Sequence, residues 1–339
     1  MKKIFLFVIG FLIISSISCN DDNLDFQDDD SGFQVEIPDF NFQQTVVFEN
    51  SLLSYNIYQG NPSNLLPSDD FLLLELSSIL FTDYAYKQRL VKVPEGTQMT
   101  RLNDNSIDFP DGTILAKTFF YYNDERDTSL GKRIIETRLL IKESNLWNVA
   151  TYIWNDAQTD ATLELNGMDT QVSWTNSNGN NISTLYHIPD RNECITCHQS
   201  NSTLIPLGTK LRNLNRVVER NGASINQINH LQSVGVLNGF QVNEISQIVD
   251  YNSLNFSLEE RGRAYLEMNC AHCHNPSAWE ESAEQDLDFR YETPLNQTGL
   301  LDEQDEIINL VSEGEMPLIG TSILDQEGID LIIQYIESL

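Results

Sequence analysis

Three kinds of hydrophobic patterning follow one another along the chain. Met1-Lys2-Lys3 leads into an apolar run from Ile4 to Ile14. A membrane-crossing helix needs roughly 20 apolar residues, so this run reads as a signal peptide rather than a span. Residues 20 to about 45 are acidic and rich in Asp, Asn and Gln, the composition of a flexible tether. Between about 90 and 190 the apolar positions form short runs closed by turn residues, which predicts β-structure. Leu90-Val91-Lys92-Val93 alternates and stops at Pro94-Glu95-Gly96, and Ile114 to Tyr122 follows the turn Pro110-Asp111-Gly112. Thr137 to Lys142 and Trp147 to Trp154 are two more strands, separated by Glu143-Ser144-Asn145; Ala161 to Leu165 and Gln171 to Trp174 continue the series. Leu72 to Phe81 is apolar and fits either a helix or an extended segment.

The last third changes period. Ser257-Leu258-Glu259-Glu260 is a capping box that starts a helix running to about Cys270. Asp302 to Val311 predicts a second helix. Asp325 caps a third, with Ile329, Ile332, Ile333 and Ile336 on one face. Ile225 to Leu237 also reads as helical.

Charge narrows the function. The 339 residues include 50 acidic and 20 basic side chains, a formal net charge of −30. Phosphate backbones need a cationic surface, so a nucleic-acid partner is excluded; a basic protein partner is favoured.

The five cysteines carry most of the chemistry. Cys19 stands alone behind Ser16-Ile17-Ser18, which resembles a lipoprotein cleavage box with Ser16 where Leu is usual. The acidic residues after it resemble a surface-export signal of bacterial lipoproteins. This implies lipidation of Cys19 and a membrane anchor. The other four form Cys194-Ile195-Thr196-Cys197-His198 and Cys270-Ala271-His272-Cys273-His274. Two C-x-x-C-H motifs point to two covalently attached haem c groups. Each thiol pair adds to the two vinyl groups of one haem, and the following His198 or His274 supplies an axial ligand to its iron. Zinc accepts cysteine and histidine but does not require His directly after the second Cys in both copies. Met316-Pro317, between the second and third C-terminal helices, supplies a sixth ligand for the second haem. For the first haem the candidates are Met99, Met168, His187 and His230, or no side chain at all; the sequence does not choose among them.

Two resemblances bear on these motifs. Helix, C-x-x-C-H, loop, helix, Met-Pro and terminal helix over 255–339 resembles a class I cytochrome c domain. Phe109-Pro110-Asp111-Gly112-Thr113, with the β-structure that follows it up to the first motif, resembles the cytochrome P460 and β-type cytochrome c′ arrangement. That implies a five-coordinate haem against a sheet. In a dihaem enzyme, where the second haem would feed electrons to an open first haem, Lys117, Arg138, Trp154 or Tyr186 would line the distal pocket.

Over 51–339 the chain resembles a family of exported bacterial dihaem c-type cytochromes. The resemblance rests on Leu80 to Lys87, Phe109 to Lys117, Glu136 to Leu140, Trp147 to Ala161, Tyr186 to His198, Gly208 to Asn215 and Arg261 to Pro276. It departs after Gly320, where Thr321 and Asp325 replace the family's Arg and His, and in the short acidic segment before Met316. The family implies export, two haems and electron transfer without an assigned substrate.

The expectation is an α+β protein: residues 1–18 a lipoprotein signal peptide, 19–45 an acidic tether, 46–250 a β-rich domain with the first haem motif and a helical extension, and 251–339 an all-α class I cytochrome c-like domain. The expected function is electron transfer to or from a redox partner protein, in the periplasm or at the outer membrane. The alternative is a dihaem oxidoreductase, peroxidase-like or P460-like, with an open-coordinated first haem.

Overall fold

The computed structural model describes residues 43–103, 106–278 and 286–339. The leader, Cys19 and most of the tether lie outside the described residues. No described helix is long and apolar enough to cross a membrane.

The centre is a six-stranded antiparallel sheet in which each strand pairs with the next in sequence: β1 (Leu72–Leu74), β2 (Tyr86–Lys92), β3 (Ile114–Tyr122), β4 (Lys132–Glu143), β5 (Leu146–Trp154) and β6 (Ala161–Glu164). The strands expected from the short apolar runs at 90, 114, 137, 147 and 161 are all here. Leu72 to Phe81 resolves into a three-residue strand followed by irregular chain that is stitched to other segments. Ser77 N–H and Ser78 N–H donate to Asn213, and Phe81 N–H donates to Asn269 Oδ1 at 2.7 Å.

Both faces of the sheet are covered, so the strands are apolar on both sides rather than alternating with solvent. The outer face carries Leu90, Ala116, Phe120, Leu139, Ala150, Tyr152 and Trp154, packed beneath Phe48, Leu52, Ile57, Tyr58 and Phe71. The inner face carries two clusters. Val91, Leu115, Leu140 and Val149 pack with Cys194, Ile195, Leu204 and Leu211. Further along the strands, Phe119, Tyr121 and Ile135 pack beneath a hairpin, β7 (Met168–Thr175) with β8 (Asn181–Ile188), through Val172, Trp174, Tyr186 and Ile188.

After β8 come helix α1 (Arg191–His198), the short ladder β9 (Gln199–Ser200) with β10 (Thr203–Leu204), α2 (Leu211–Leu214), the ladder β11 (Val217–Arg220) with β12 (Ala223–Asn226), and α3 (Gln227–Ser233). Only seven residues of the expected 225–237 helix are helical. The C-terminal helices are α4 (Leu258–Asn269), α5 (Gln304–Glu313) and α6 (Gln326–Glu337). Ser257 and Glu260 form the expected capping box on α4, and Asp325 caps α6 through Gly328 N–H.

The first and last of these helices meet through two glycines. A Cβ on Gly262 of α4 would lie 2.4 Å from the Tyr335 ring of α6, and one on Gly328 would lie 2.3 Å from the Tyr265 ring. Each helix thus gives up a side chain where the other places a tyrosine, which lets the backbones approach. The fold is a β-rich region followed by a few C-terminal helices, and all described residues belong to one compact unit.

Candidate functional site

The first motif is helical. Asp190 and Glu193 form a capping box on α1. The Asp-x-x-Glu signal after Pro189 is visible in the sequence, yet a strand period running up to the motif masks it. In the helix, Cys194 and Cys197 are three apart and His198 four from Cys194, so all three project from one side. Cys194 is buried in the inner-face cluster.

His198 has one committed nitrogen. Its Nδ1 lies 2.8 Å from the Ile205 carbonyl and donates to it, which places the lone pair on Nε2. A metal-ligating histidine is oriented by the same device. Burial drives the His198 pKa down to about 3, with Lys117 and Arg138 pushing the same way, so the ring is neutral. A neutral ring is what an iron ligand must be.

The second motif begins where α4 ends. Cys270 is the C-cap, and its carbonyl accepts from Cys273 N–H (3.1 Å) and His274 N–H (2.9 Å). The His274 ring lies 5.3 Å from Phe289, and its Nδ1 is buried with no partner. Burial lowers its pKa to about 4. Burial raises Cys194 and Cys270 to about 12, so both are held as thiols.

No disulfide joins any of the four sulfurs. The two motifs meet instead across the chain: one ligand atom each of Cys197, His272 and Cys273 lies within 4.8 Å of the others. Asn201 N–H donates to the Ser277 carbonyl at 2.8 Å just beyond both motifs. Buried polar atoms normally have partners. Here Gln199 Oε1, His272 Nδ1 and His274 Nδ1, all in or next to the motifs, have none. Unlinked sulfur pairs, neutral histidines with a free nitrogen and unsatisfied polar atoms beside them suit attachment of a haem at each motif.

The four candidates for the far side of the first haem fare differently. His187 is committed at both nitrogens, to Asp169 at 2.7 Å and Glu193 at 3.0 Å. Burial lowers its pKa, but the two carboxylates outweigh that and raise it. Met168 is 43% exposed on the hairpin. His230 is half-buried on α3, whose Ile228 and Leu231 share the apolar cluster of Cys194. Met99 is buried in the same apolar cluster as Cys194. Met316 is half-buried in the loop between α5 and α6.

Of the four side chains proposed to line a pocket, three gather. Arg138 donates to Glu136 (2.5 and 2.8 Å), and Tyr186 donates to the same carboxylate at 2.7 Å. Lys117 stands directly opposite Arg138 in the sheet. Trp154 belongs to the outer face, where its Nε1 donates to Thr137. Its place follows from parity along β5, which puts Trp154 on the opposite face from Thr151 and Val149.

Comparison with family models, curated proteins and solved structures returns no match for this chain.

Proposed function

We propose that this protein is a dihaem c-type cytochrome that transfers electrons. The observation that carries the reading is His198: its Nδ1 is tied to the Ile205 carbonyl, which leaves Nε2 for a ligand, and it projects from the same side of a capped helix as two cysteines that form no disulfide. Cys194 and Cys197 would hold one haem with His198 as ligand. Cys270 and Cys273 would hold the other, with His274 and Met316. Each bound haem supplies a one-electron iron couple. The chain's own residues orient His198, keep both imidazoles neutral and exclude water from Cys194. The closeness of Cys197 to Cys273 brings the two attachment points together, which favours exchange between the centres.

The helical region is read as a class I cytochrome c-like domain. The order of α4, second motif, α5, Met316 and α6 supports this, as does the glycine-mediated crossing of α4 and α6. The leader and Cys19 support export and lipid anchoring at the outer membrane. The net charge of −30 supports a basic redox partner.

A second reading is an oxidoreductase with an open first iron. It is favoured by the two carboxylates that occupy His187 and by the gathering of Lys117, Arg138 and Tyr186 near the first motif. A metal centre of Cys197, His272 and Cys273 is less favoured: it leaves Cys194, Cys270, His198 and His274 without a task.

Intact mass and visible spectra of the full chain, produced in a host that matures c-type cytochromes, separate these readings. Two haem increments are expected, falling to one in Cys194→Ala/Cys197→Ala and in Cys270→Ala/Cys273→Ala. An unmodified mass, or a zinc increment, removes the cytochrome reading. Two low-spin haems remove the open-iron enzyme; a high-spin fraction that binds carbon monoxide supports it.

A further inference from the structure

Three cations stand in one row across the inner face of the sheet. Arg89 on β2 is directly opposite Lys117 on β3, which is directly opposite Arg138 on β4. Like charges facing each other across strands destabilise a sheet. The row lies between the two inner-face apolar clusters: Val91, Leu115 and Leu140 are on one side and Phe119 and Tyr121 on the other. A fourth cation, Lys87, joins from β2. The nitrogens of Lys87 and Lys117 and the Arg138 guanidinium carbon lie 5.9, 4.8 and 4.5 Å from the centre of one ring, Phe119.

Compensation is incomplete. Glu136 is taken by Arg138 and Tyr186. Lys87 donates to the Ala85 carbonyl. The side chains of Arg89 and Lys117 make no hydrogen bond or ion pair among the described residues, although Arg89 is only 9% exposed. Burial works against both lysine charges, lowering each pKa well below the usual range, with neighbouring arginines adding to the effect. In a chain with 50 acidic residues and 20 basic ones, an inward-facing surplus of cations calls for an anion.

We propose that Arg89, Lys117 and Arg138, assisted by Lys87, form an anion site for a carboxylate or a small oxyanion on the sheet face that packs against the first C-x-x-C-H motif. Cys194 and Ile195 share a cluster with Val91 and Leu115, and Lys117 and Arg138 act electrostatically on His198. The anion has two sources: the propionate carboxylates of a haem held by that motif, which rests on the dihaem reading, or a diffusible ion.

The test is thermal unfolding of the full chain, with and without haem, titrated with acetate and with nitrite at constant ionic strength. In the haem-free chain the midpoint should rise saturably. Lys117→Arg should keep the response, and Lys117→Met or Arg89→Met should weaken apparent binding at least ~10-fold, the loss of one charged hydrogen bond. Lys132→Met, on the opposite face, should leave it unchanged. If propionates fill the site, the response disappears in the haem-carrying chain. Lys117→Met then lowers the potential of one haem, because the oxidised form no longer faces an extra positive charge. If the ion is diffusible, the response persists with haem bound. A haem-free wild-type chain that shows no saturable response to either anion overturns the proposal. So does a response that survives both Met substitutions. A chain that never takes up haem sinks only the dihaem reading, because the haem-free titration still decides the anion site.

Discussion

The first C-x-x-C-H motif is a helix backed by a sheet; the second is a turn at a helix end among other helices. Around the first, the chain supplies charge and a fixed imidazole: Arg89, Lys117 and Arg138 in a row, and His198 tied to the Ile205 carbonyl. Around the second, it supplies apolar packing, with His274 beside Phe289 and α4 against α6. One sequence pattern thus sits in two electrostatic settings. In the dihaem reading these settings give the two irons different potentials, because ligand type and nearby charge both tune the couple.

The sharpest way to break the comparison is at Glu136. It is fully buried and holds both Arg138 and Tyr186. Glu136→Ala leaves Arg138 unpaired beside Lys117 and should cost about 3–5 kcal/mol. Hydrogen exchange should rise in β3 to β5 before it rises in α4 and α6; equal loss in both would mean that the regions are not energetically distinct.

The mirror experiment is Gly262→Ala. Its Cβ would meet the Tyr335 ring at 2.4 Å, a rigid neighbour, so a cost of about 2–3 kcal/mol is expected. Exchange should rise in α4 and α6 and stay low in β3 to β5. A neutral Gly262→Ala would show that the helix crossing can relax.

Met316→Ala sharpens the contrast without touching the core. In the dihaem reading one haem should turn high-spin and its potential should fall, while the free energy of unfolding changes by less than about 1 kcal/mol, as expected for a half-buried loop residue. An unchanged spectrum would remove Met316 as a ligand.

The smallest effect is at His187. Its folded pKa is raised above the ordinary 6.5, so its contribution is fully present below about pH 6.5 and lost as pH rises through the folded value. The ring is 39% exposed, which limits the contribution to under about 1 kcal/mol. The stability difference between wild type and His187→Gln should therefore shrink between pH 6 and pH 9. A difference that grows over that range would refute the assignment.

Local signals carried the sequence reading where local physics decides. Five strands of the sheet, the Ser257 capping box and the Asp325 cap are visible because short apolar runs closed by turn residues, and capping, are signals that span only a few residues. Strand β8 was missed because Leu185 and Ser183 point to solvent and dilute its apolar pattern. The seven-residue α3 was overextended because Val236 and Leu237 are apolar for packing, not for helix, and Val234 is an exposed apolar residue just past its end. Gly262 and Gly328 are visible as glycines inside helical patterns, a sign of close backbone approach. The meeting of Cys197 with Cys273 was illegible, since it depends on how segments 76 positions apart dock, and no local pattern encodes that. The cationic row needed the strand register, which pairs Arg89 with Lys117 and Lys117 with Arg138.

In the dihaem reading, the closeness of Cys197 and Cys273 also constrains the order of maturation. If the chain is exported, these sulfurs meet an oxidant as soon as the two segments dock. A chain that folds first can crosslink its motifs and shut out the enzyme that loads them. Attachment must then precede docking, or a dedicated reductant must hold the thiols open until it is complete.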